Sequence, residues 1–248
     1  LLMNRLIQIT DLHFGENPSV VIKSINPVES FNAILDEIES SDFRDAPILL
    51  SGDLSGCNNA GSYQMLNKML LNRRKEIIWL PGNHDNLYEM NAHLTHYPRL
   101  SSLQLNDWSV ITLNSSKAKS PVGFIDHQEL LKLDRELSKV RSQFVIVAMH
   151  HCPASIGSDW LDGHRIENRN ELFDVLSKYD NVVCILNGHV HQKYEGIWRG
   201  IPVYASPSSC FQFKCKSKEF AISNEPPGYR WLHLFDDGTL ETGIKYLA

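Results

Sequence analysis

Phe144-Val145-Ile146-Val147-Ala148-Met149-His150-His151 is a run of six apolar residues that leads straight into two histidines. A strand with no polar position is what a sheet covered on both faces requires. Short apolar runs recur on either side of it, at 5–10, 47–51, 77–80, 108–114 and 182–187. Between them the apolar residues take helical spacing, at 28–40 (Phe31, Ile34, Leu35, Ile38), 61–73, 126–139 (Leu130, Leu131, Leu133, Leu137) and 170–178. After residue 193 the helical spacing stops. Segments 194–198, 201–205, 229–235 and 239–246 read as antiparallel strands, with turns at Arg199-Gly200 and Asp236-Asp237-Gly238. The polar segment 214–227, ending in Pro226-Pro227-Gly228, reads as a long loop. The expectation is a single α/β domain over 1–248, with two packed sheets and helices outside.

Bulk properties narrow the function. A chain of 248 residues buries roughly 70% of its unfolded surface, so its core needs no disulfide staples. The five cysteines are odd in number and lack CxxC spacing, which argues against a disulfide framework or a structural zinc site and fits a reducing cytosol. The formal charge is −5, with no block of like charge; a general nucleic-acid surface is therefore not expected. A small anion remains a fitting substrate, because metal ions supply local positive charge. No apolar run is long enough to span a bilayer, and the sequence opens almost directly on a strand rather than on a signal peptide. The expectation is a cytoplasmic protein with neither membrane nor nucleic-acid partners.

The histidines, 11 in all, are not scattered. Asp11-Leu12-His13, Gly52-Asp53, Gly82-Asn83-His84-Asp85, His150-His151 and Gly188-His189-Val190-His191 each follow a predicted strand. In α/β sheets the carboxyl ends of strands converge on one crevice, where ligands bind. Each cluster alone has a plainer explanation: an N-cap aspartate, a turn, a hydrogen-bonded histidine pair. Five such clusters at five strand ends make coincidence a poor explanation. Carboxylate, imidazole and amide oxygen without thiolate suit Fe, Mn, Zn, Co or Ni. Asp53 is the natural bridge between two ions, which at about 3.5–4 Å apart clamp the attacking and leaving oxygens of a phosphoryl displacement.

As an ordered set from Asp11 to His191, these motifs resemble the calcineurin-like metallophosphoesterases. The resemblance implies a four-layered α/β/β/α fold with a di-metal centre, Fe and Mn foremost. One ion would take Asp11, His13, Asp53 and His191, the other Asp53, Asn83, His150 and His189. His150 fits the ligand position better than His151, with Pro153 following; Cys152 departs from the His or Pro common there. His84 would contact the phosphate and protonate the leaving oxygen, and Asp85 would orient His84.

Further stretches resemble the bacterial 3′,5′-cyclic-AMP phosphodiesterases of the CpdA type. They are 7–11, 79–85, Asp159-Trp160-Leu161-Asp162, 206–214 and Pro227-Gly228-Tyr229-Arg230. That narrower likeness implies attack of a metal-bridging hydroxide on 3′,5′-cyclic AMP to give 5′-AMP. Dimers are common in that group, so a homodimer is an open expectation. The loops around His164 and Asn168, and residues 206–213, would shape the nucleotide pocket. The plainer readings weigh more there: a surface histidine for His164, and a core strand for Phe211 and Phe213. Competing activities are hydrolysis of 2′,3′-cyclic nucleotides, glycerophosphodiesters or small monoesters. A lipid-A-pathway pyrophosphatase would resemble G-N-R-D rather than Asn83-His84-Asp85, and a scaffold with a dead site would not keep every ligand.

Overall fold

The computed structural model describes residues 3–73, 76–141 and 143–248. Its first half alternates strand and helix: β1 (Met3–Ile9), α1 (Pro27–Glu39), β2 (Ile48–Ser51), α2 (Ala60–Arg73), β3 (Ile77–Leu80) and α3 (Leu87–His93). Next come β4 (Ser102–Leu105), β5 (Trp108–Thr112), α4 (His127–Lys139), β6 (Phe144–Ala148), α5 (Asp159–Asp162), α6 (Arg169–Leu176) and β7 (Val182–Asn187). The chain finishes in strands: β8 (Tyr194–Trp198), β9 (Ile201–Ala205), β10 (Gln212–Phe213), β11 (Ile222–Ser223), β12 (Gly228–Phe235) and β13 (Leu240–Tyr246).

The strands form two main sheets, ordered β13-β12-β1-β2-β3 and β4-β5-β6-β7-β9-β8. Because successive side chains of a strand face opposite ways, the apolar runs supply two cores at once. Leu6, Leu49, Ile78 and Leu80 of the first sheet meet Val110, Ile146, Ala148 and Leu186 of the second in a layer between the sheets. Ile7, Ile9, Ile48, Leu50 and Trp79 point the other way, onto Phe31, Ile34, Leu66 and Leu70 of α1 and α2. Val145, Val147 and Ile185 cover Leu130, Leu133, Leu137 and Leu172 of α4 and α6. The expected α/β/β/α layering follows, with fully apolar strands in the middle. Each fully buried Leu, Ile or Val contributes roughly 1.5–3 kcal/mol.

Helix starts follow local chemistry. Asn26 caps α1, its side chain accepting from the N–H of Val28 and Glu29, with Pro27 as the first helical residue. Asp126 caps α4 by accepting from Gln128 N–H. Leu131, expected in the apolar stripe of α4, is 48% exposed; the stripe is Leu130, Leu133 and Leu137.

Two details of the tail differ from expectation, and a third completes the first sheet. Strand 201–205 pairs antiparallel with β8 but parallel with β7. The 214–227 segment is not only loop: Ile222–Ser223 pairs back onto Gln212–Phe213. And β12 crosses back to the first sheet, lying antiparallel to β1 from Met3↔Phe235 to Gln8↔Arg230. Among the described residues no helix is long and apolar enough to cross a membrane.

Candidate metal centre

Five strand ends meet at one edge. β1 delivers Asp11 and His13, β2 delivers Asp53, β3 delivers Asn83 and His84, β6 delivers His150, and β7 delivers His189 and His191. The loops are laced to one another: Asp11 N–H donates to Gly52 O at 3.0 Å, His13 N–H to Asp53 O at 2.9 Å, and Gly188 N–H to His150 O at 3.0 Å. Asp11, His13, Asp53, His189 and His191 all have left-handed backbone, with φ of 54°, 52°, 52°, 69° and 43°. Such conformations cost of order 1–2 kcal/mol each for an L-residue and gather at functional sites.

The three glycines ahead of these residues have distinct roles. Gly52 turns the chain at φ +99°. Gly82 and Gly188 are held by space instead: a Cβ would overlap Asp53 at the first and Thr10 at the second.

Three donor groups emerge: Asp11 with His13 and His191, Asp53 with His150 and His189, and His13 with Asp53 and His84, which shares a residue with each of the others. His191 Nε2 lies 3.2 Å from Asp11 Oδ1 and 3.1 Å from His13 Nε2. His150 Nε2 lies 3.3 Å from Asp53 Oδ2 and 3.7 Å from Asp11 Oδ1. Metal–ligand bonds of about 2.0–2.2 Å put neighbouring donors about 3 Å apart, so the spacing fits.

The hydrogen bonding fits as well. Asp11 Oδ1, Asn83 Oδ1, His150 Nε2 and His189 Nε2 are buried with no hydrogen-bond partner among the described residues, a costly state unless something else binds them. His150 Nδ1 sits 2.8 Å from Ser51 O, and His191 Nδ1 2.7 Å from Phe211 O. A carbonyl can only accept, so in these rings Nδ1 carries the proton and Nε2 presents its lone pair to the crevice when the ring is neutral.

Burial favours neutral carboxyls at Asp11 and Asp53, but the imidazoles of His191 and His150 beside Asp11, and of His150 and His13 beside Asp53, outweigh it. Both carboxyls are held below the usual range, Asp53 well below. Burial pushes His13 down to about 4 and His189 well below its ordinary value, with neighbouring imidazoles adding to the shift. His150 goes the other way: burial would lower it, yet the carboxylates of Asp53 and Asp11 raise it to about 10. Ionised carboxylates beside the neutral imidazoles of His13 and His189 make a buried nest that attracts cations.

Of the adjacent histidines, His150 joins the donor group. The Nδ1 of His151 instead lies 2.8 Å from Ser115 Oγ, and its ring is 4.6 Å from that of His189. His84 is exposed at the mouth, its ring 5.2 Å from His13 and its backbone N–H donating to Asp53 Oδ1 at 2.8 Å.

Asp85 does not hold His84, as the sequence led us to expect. Its carboxylate accepts from the N–H of Leu54, Ser55 and Gly82 and from Tyr63 Oη. It thereby ties the Asp53 loop to the Asn83 loop. Burial and the Asp53 charge push it up to about 6 despite those donors. Asn168, expected in the nucleotide pocket, is engaged elsewhere: it donates to Ile125 O and accepts from Ile125 N–H.

A cavity of about 380 Å³ opens onto the centre, and His13, Asp53, Asn83, His84, His189 and His191 form its floor. Its other wall includes His164, Phe211 and Phe213. His164 therefore faces the site rather than free surface. The two phenylalanines face a cavity rather than only the core. Trp160 and Phe220 join them; an aromatic side chain gives no sign in sequence of whether it fills a core or lines a pocket.

Comparison with known proteins bears on this arrangement. The family model described as calcineurin-like phosphoesterase matches residues 4–193. The chain is 36% identical over 242 residues to a 3′,5′-cyclic-nucleotide phosphodiesterase of Nostoc sp., covering 97% of this chain and 91% of that one. It is 33% identical over 248 residues to the 3′,5′-cyclic adenosine monophosphate phosphodiesterase CpdA of Vibrio vulnificus, covering 98% and 90%. A dimetal phosphatase from Danio rerio shares the fold with a TM-score of 0.59 at 12% identity, over 93% of this chain and 95% of that one. The matched region contains every strand end that feeds the centre, and this chain belongs to the calcineurin-like phosphoesterase family.

Proposed function

We propose that the chain is a dinuclear-metal phosphodiesterase that opens 3′,5′-cyclic AMP to 5′-AMP. The observation that carries this reading is the paired set of inward-facing, unpartnered donors around Asp53, at the foot of a cavity with an aromatic wall. The near full-length likeness to phosphodiesterases named for 3′,5′-cyclic nucleotides supports the substrate.

Asp11, His13, Asp53 and His191 would hold one ion, and Asp53, Asn83, His150 and His189 the other, with Fe and Mn the proposed pair. When bound, two such ions acidify water and neutralise the phosphate oxygens. The chain's own residues do the rest. Asp53 faces both donor groups and spaces them. Ser51 O and Phe211 O fix the rings of His150 and His191 so that Nε2 faces inward. Asp85 locks the loops that carry Asp53 and Asn83. His84, exposed at the cavity mouth, is placed to meet the phosphate and deliver a proton to the departing 3′ oxygen. We further propose a cytoplasmic enzyme whose partner is a small phosphate ester, as a monomer or a homodimer.

The test is hydrolysis by purified protein with added Mn²⁺, offering 3′,5′-cAMP beside 2′,3′-cAMP and bis(p-nitrophenyl) phosphate. Preferred turnover of 3′,5′-cAMP, lost in Asn83→Ala and on chelation, is the expected result. Turnover of the other esters alone would retain a phosphoesterase and reject the cyclic-AMP assignment.

A further inference from the structure

The side chains of the candidate centre come from two sheets. Asp11, His13, Asp53 and Asn83 follow β1, β2 and β3 of the first; His150, His189 and His191 follow β6 and β7 of the second. The close donor pairs span that divide: His150 Nε2 to Asp53 Oδ2 at 3.3 Å, and His191 Nε2 to Asp11 Oδ1 at 3.2 Å. The layer between the sheets is apolar, with Leu6, Leu49, Ile146, Ala148 and Leu186 in it. Apolar contact is non-directional, so by itself it sets the offset of two sheets loosely. A metal site tolerates only about 0.2 Å in each bond. A directional tie between the sheets is needed next to the centre.

Gln8 supplies it. Side chains alternate along a strand, so Gln8 shares the face of Leu6 and enters the apolar layer, fully buried. Its Nε2 donates to Ser51 Oγ on β2 at 2.9 Å and, across the layer, to Asn187 O on β7 at 3.0 Å. A carbonyl only accepts, which fixes the amide with its nitrogen towards Asn187. These three residues stand just ahead of the donors: Asp11 is three positions beyond Gln8, Asp53 two beyond Ser51, and His189 two beyond Asn187. Ser51 O in turn accepts from His150 Nδ1 at 2.8 Å. Fold stability does not explain the amide. Gln8 Oε1 is buried with no hydrogen-bond partner among the described residues, a cost that an apolar side chain of the same length would avoid.

We infer that Gln8 is a positioning residue: by tying β1 and β2 to β7 it sets the distance between the two halves of the centre. The inference rests on the dinuclear reading above and adds which ion depends on the tie. The first proposed ion takes Asp11, His13 and Asp53 from one sheet and His191 alone from the other. The second divides evenly, Asp53 and Asn83 against His150 and His189. A change in sheet offset therefore disturbs the second set more than the first.

The experiment titrates Mn²⁺ into the metal-stripped full chain, read by electron paramagnetic resonance, in wild type, Gln8→Met, Asn83→Ala and Leu103→Ala. Methionine keeps the length of glutamine without its amide. Leu103, 7% exposed on β4, lies in the same layer at the far edge of the second sheet, so Leu103→Ala reports lost stability alone. Wild type is expected to bind two Mn²⁺ and to show an exchange-coupled spectrum. Gln8→Met should keep one Mn²⁺ near its wild-type affinity and bind the other about 10- to 100-fold more weakly. At low Mn²⁺ its uncoupled spectrum should match that of Asn83→Ala, which removes a donor of the second set alone. Hydrolysis of 3′,5′-cAMP by Gln8→Met should fall in step and return as Mn²⁺ is raised. Without metal, Gln8→Met should unfold at a denaturant midpoint no lower than wild type, whereas Leu103→Ala should unfold earlier yet keep both affinities. A Gln8→Met protein that binds both ions as wild type does, or loses both equally with a lowered midpoint, would overturn the positioning role and leave the dinuclear reading standing. Wild type that binds a single Mn²⁺ would overturn that reading, and the inference with it.

Discussion

A single methyl group at position 188 probes how tightly the centre is built. A Cβ there would overlap Thr10 Oγ1 and come within 2.8 Å of Asp11 Oδ2. That carboxylate oxygen already accepts from Thr10 Oγ1 and from His189 N–H. Gly188→Ala should therefore displace Asp11 and the His189 loop together. We expect bound metal and hydrolysis both to fall at least about tenfold, with an overpacking cost of about 1–3 kcal/mol. Metal analysis and denaturation on one preparation check both, and a variant with wild-type metal content would refute the packing argument.

Asp85 makes a related point about how far residues can be read. Its neighbours in sequence suggest a partner for His84. Its four donors come from Leu54, Ser55, Gly82 and Tyr63, and three of these are remote in sequence. A hydrogen bond across that gap leaves no trace in local spacing.

The helices offer sharper tests, because their ends are local. Asn26→Ala removes the acceptor for two N–H groups of α1. It should cost about 1 kcal/mol in urea denaturation, with hydrolysis unaffected. On α4, Glu129 accepts from Lys132, Arg99 and Asn114 N–H. Burial alone would raise its carboxyl, but those partners outweigh it and hold the pKa below 4.5. A depressed carboxyl stabilises the fold above its unfolded pKa, and that stabilisation is lost as pH falls through the folded value. Wild type should therefore lose more stability than Glu129→Gln on acidification below about pH 4.5. At pH 7 the variant should be weaker by about 2 kcal/mol. Equal acid sensitivity of the two proteins would remove Glu129 from the account.

Most elements were legible because their signals are short-range. Short unbroken apolar runs mark the central strands, the 130/133/137 spacing marks α4, and the strand-end position of each Asp, Asn and His points to the candidate centre. What escaped was either brief or relational. Helix α3 has a cap signal in Asn86, whose side chain accepts from Tyr88 and Glu89 N–H, but spans only seven residues. Strand β4 is four residues. Asn168 looked available until its bonds to Ile125, 43 positions away, were seen. The aromatic wall was hidden because Phe211 and Phe213 satisfy a core strand and a pocket equally well.

Across the whole molecule, strand order is the part that sequence does not carry, and one residue depends on it directly. Arg230 sits on β12 in the first sheet, fully buried. Its guanidinium donates to Ala205 O on β9 at 3.0 Å and lies 5.2 Å from the Tyr204 ring, both in the second sheet. It also donates to Thr242 Oγ1 at 2.9 Å, and Glu195 on β8 lies 3.4 Å away. This clamp exists only because the chain returns to pair β12 with β1. Arg230→Ala should destabilise the protein by about 3–5 kcal/mol, since it leaves polar partners buried beneath a cavity. Arg230→Met, which keeps the volume, should lose less. Denaturant midpoints for the pair decide it; a loss under about 1 kcal/mol in the alanine variant would reduce the clamp to ordinary packing.

The left-handed backbone at Asp11, His13, Asp53, His189 and His191 has an evolutionary consequence. Asn, Asp and His are the non-glycine residues that enter that region most readily, and they are also good ligands for hard or borderline cations. Geometry and chemistry thus filter mutations at these positions towards one short alphabet. A descendant that lost its activity would drift there to Asn, Asp or Gly before Ala or Val.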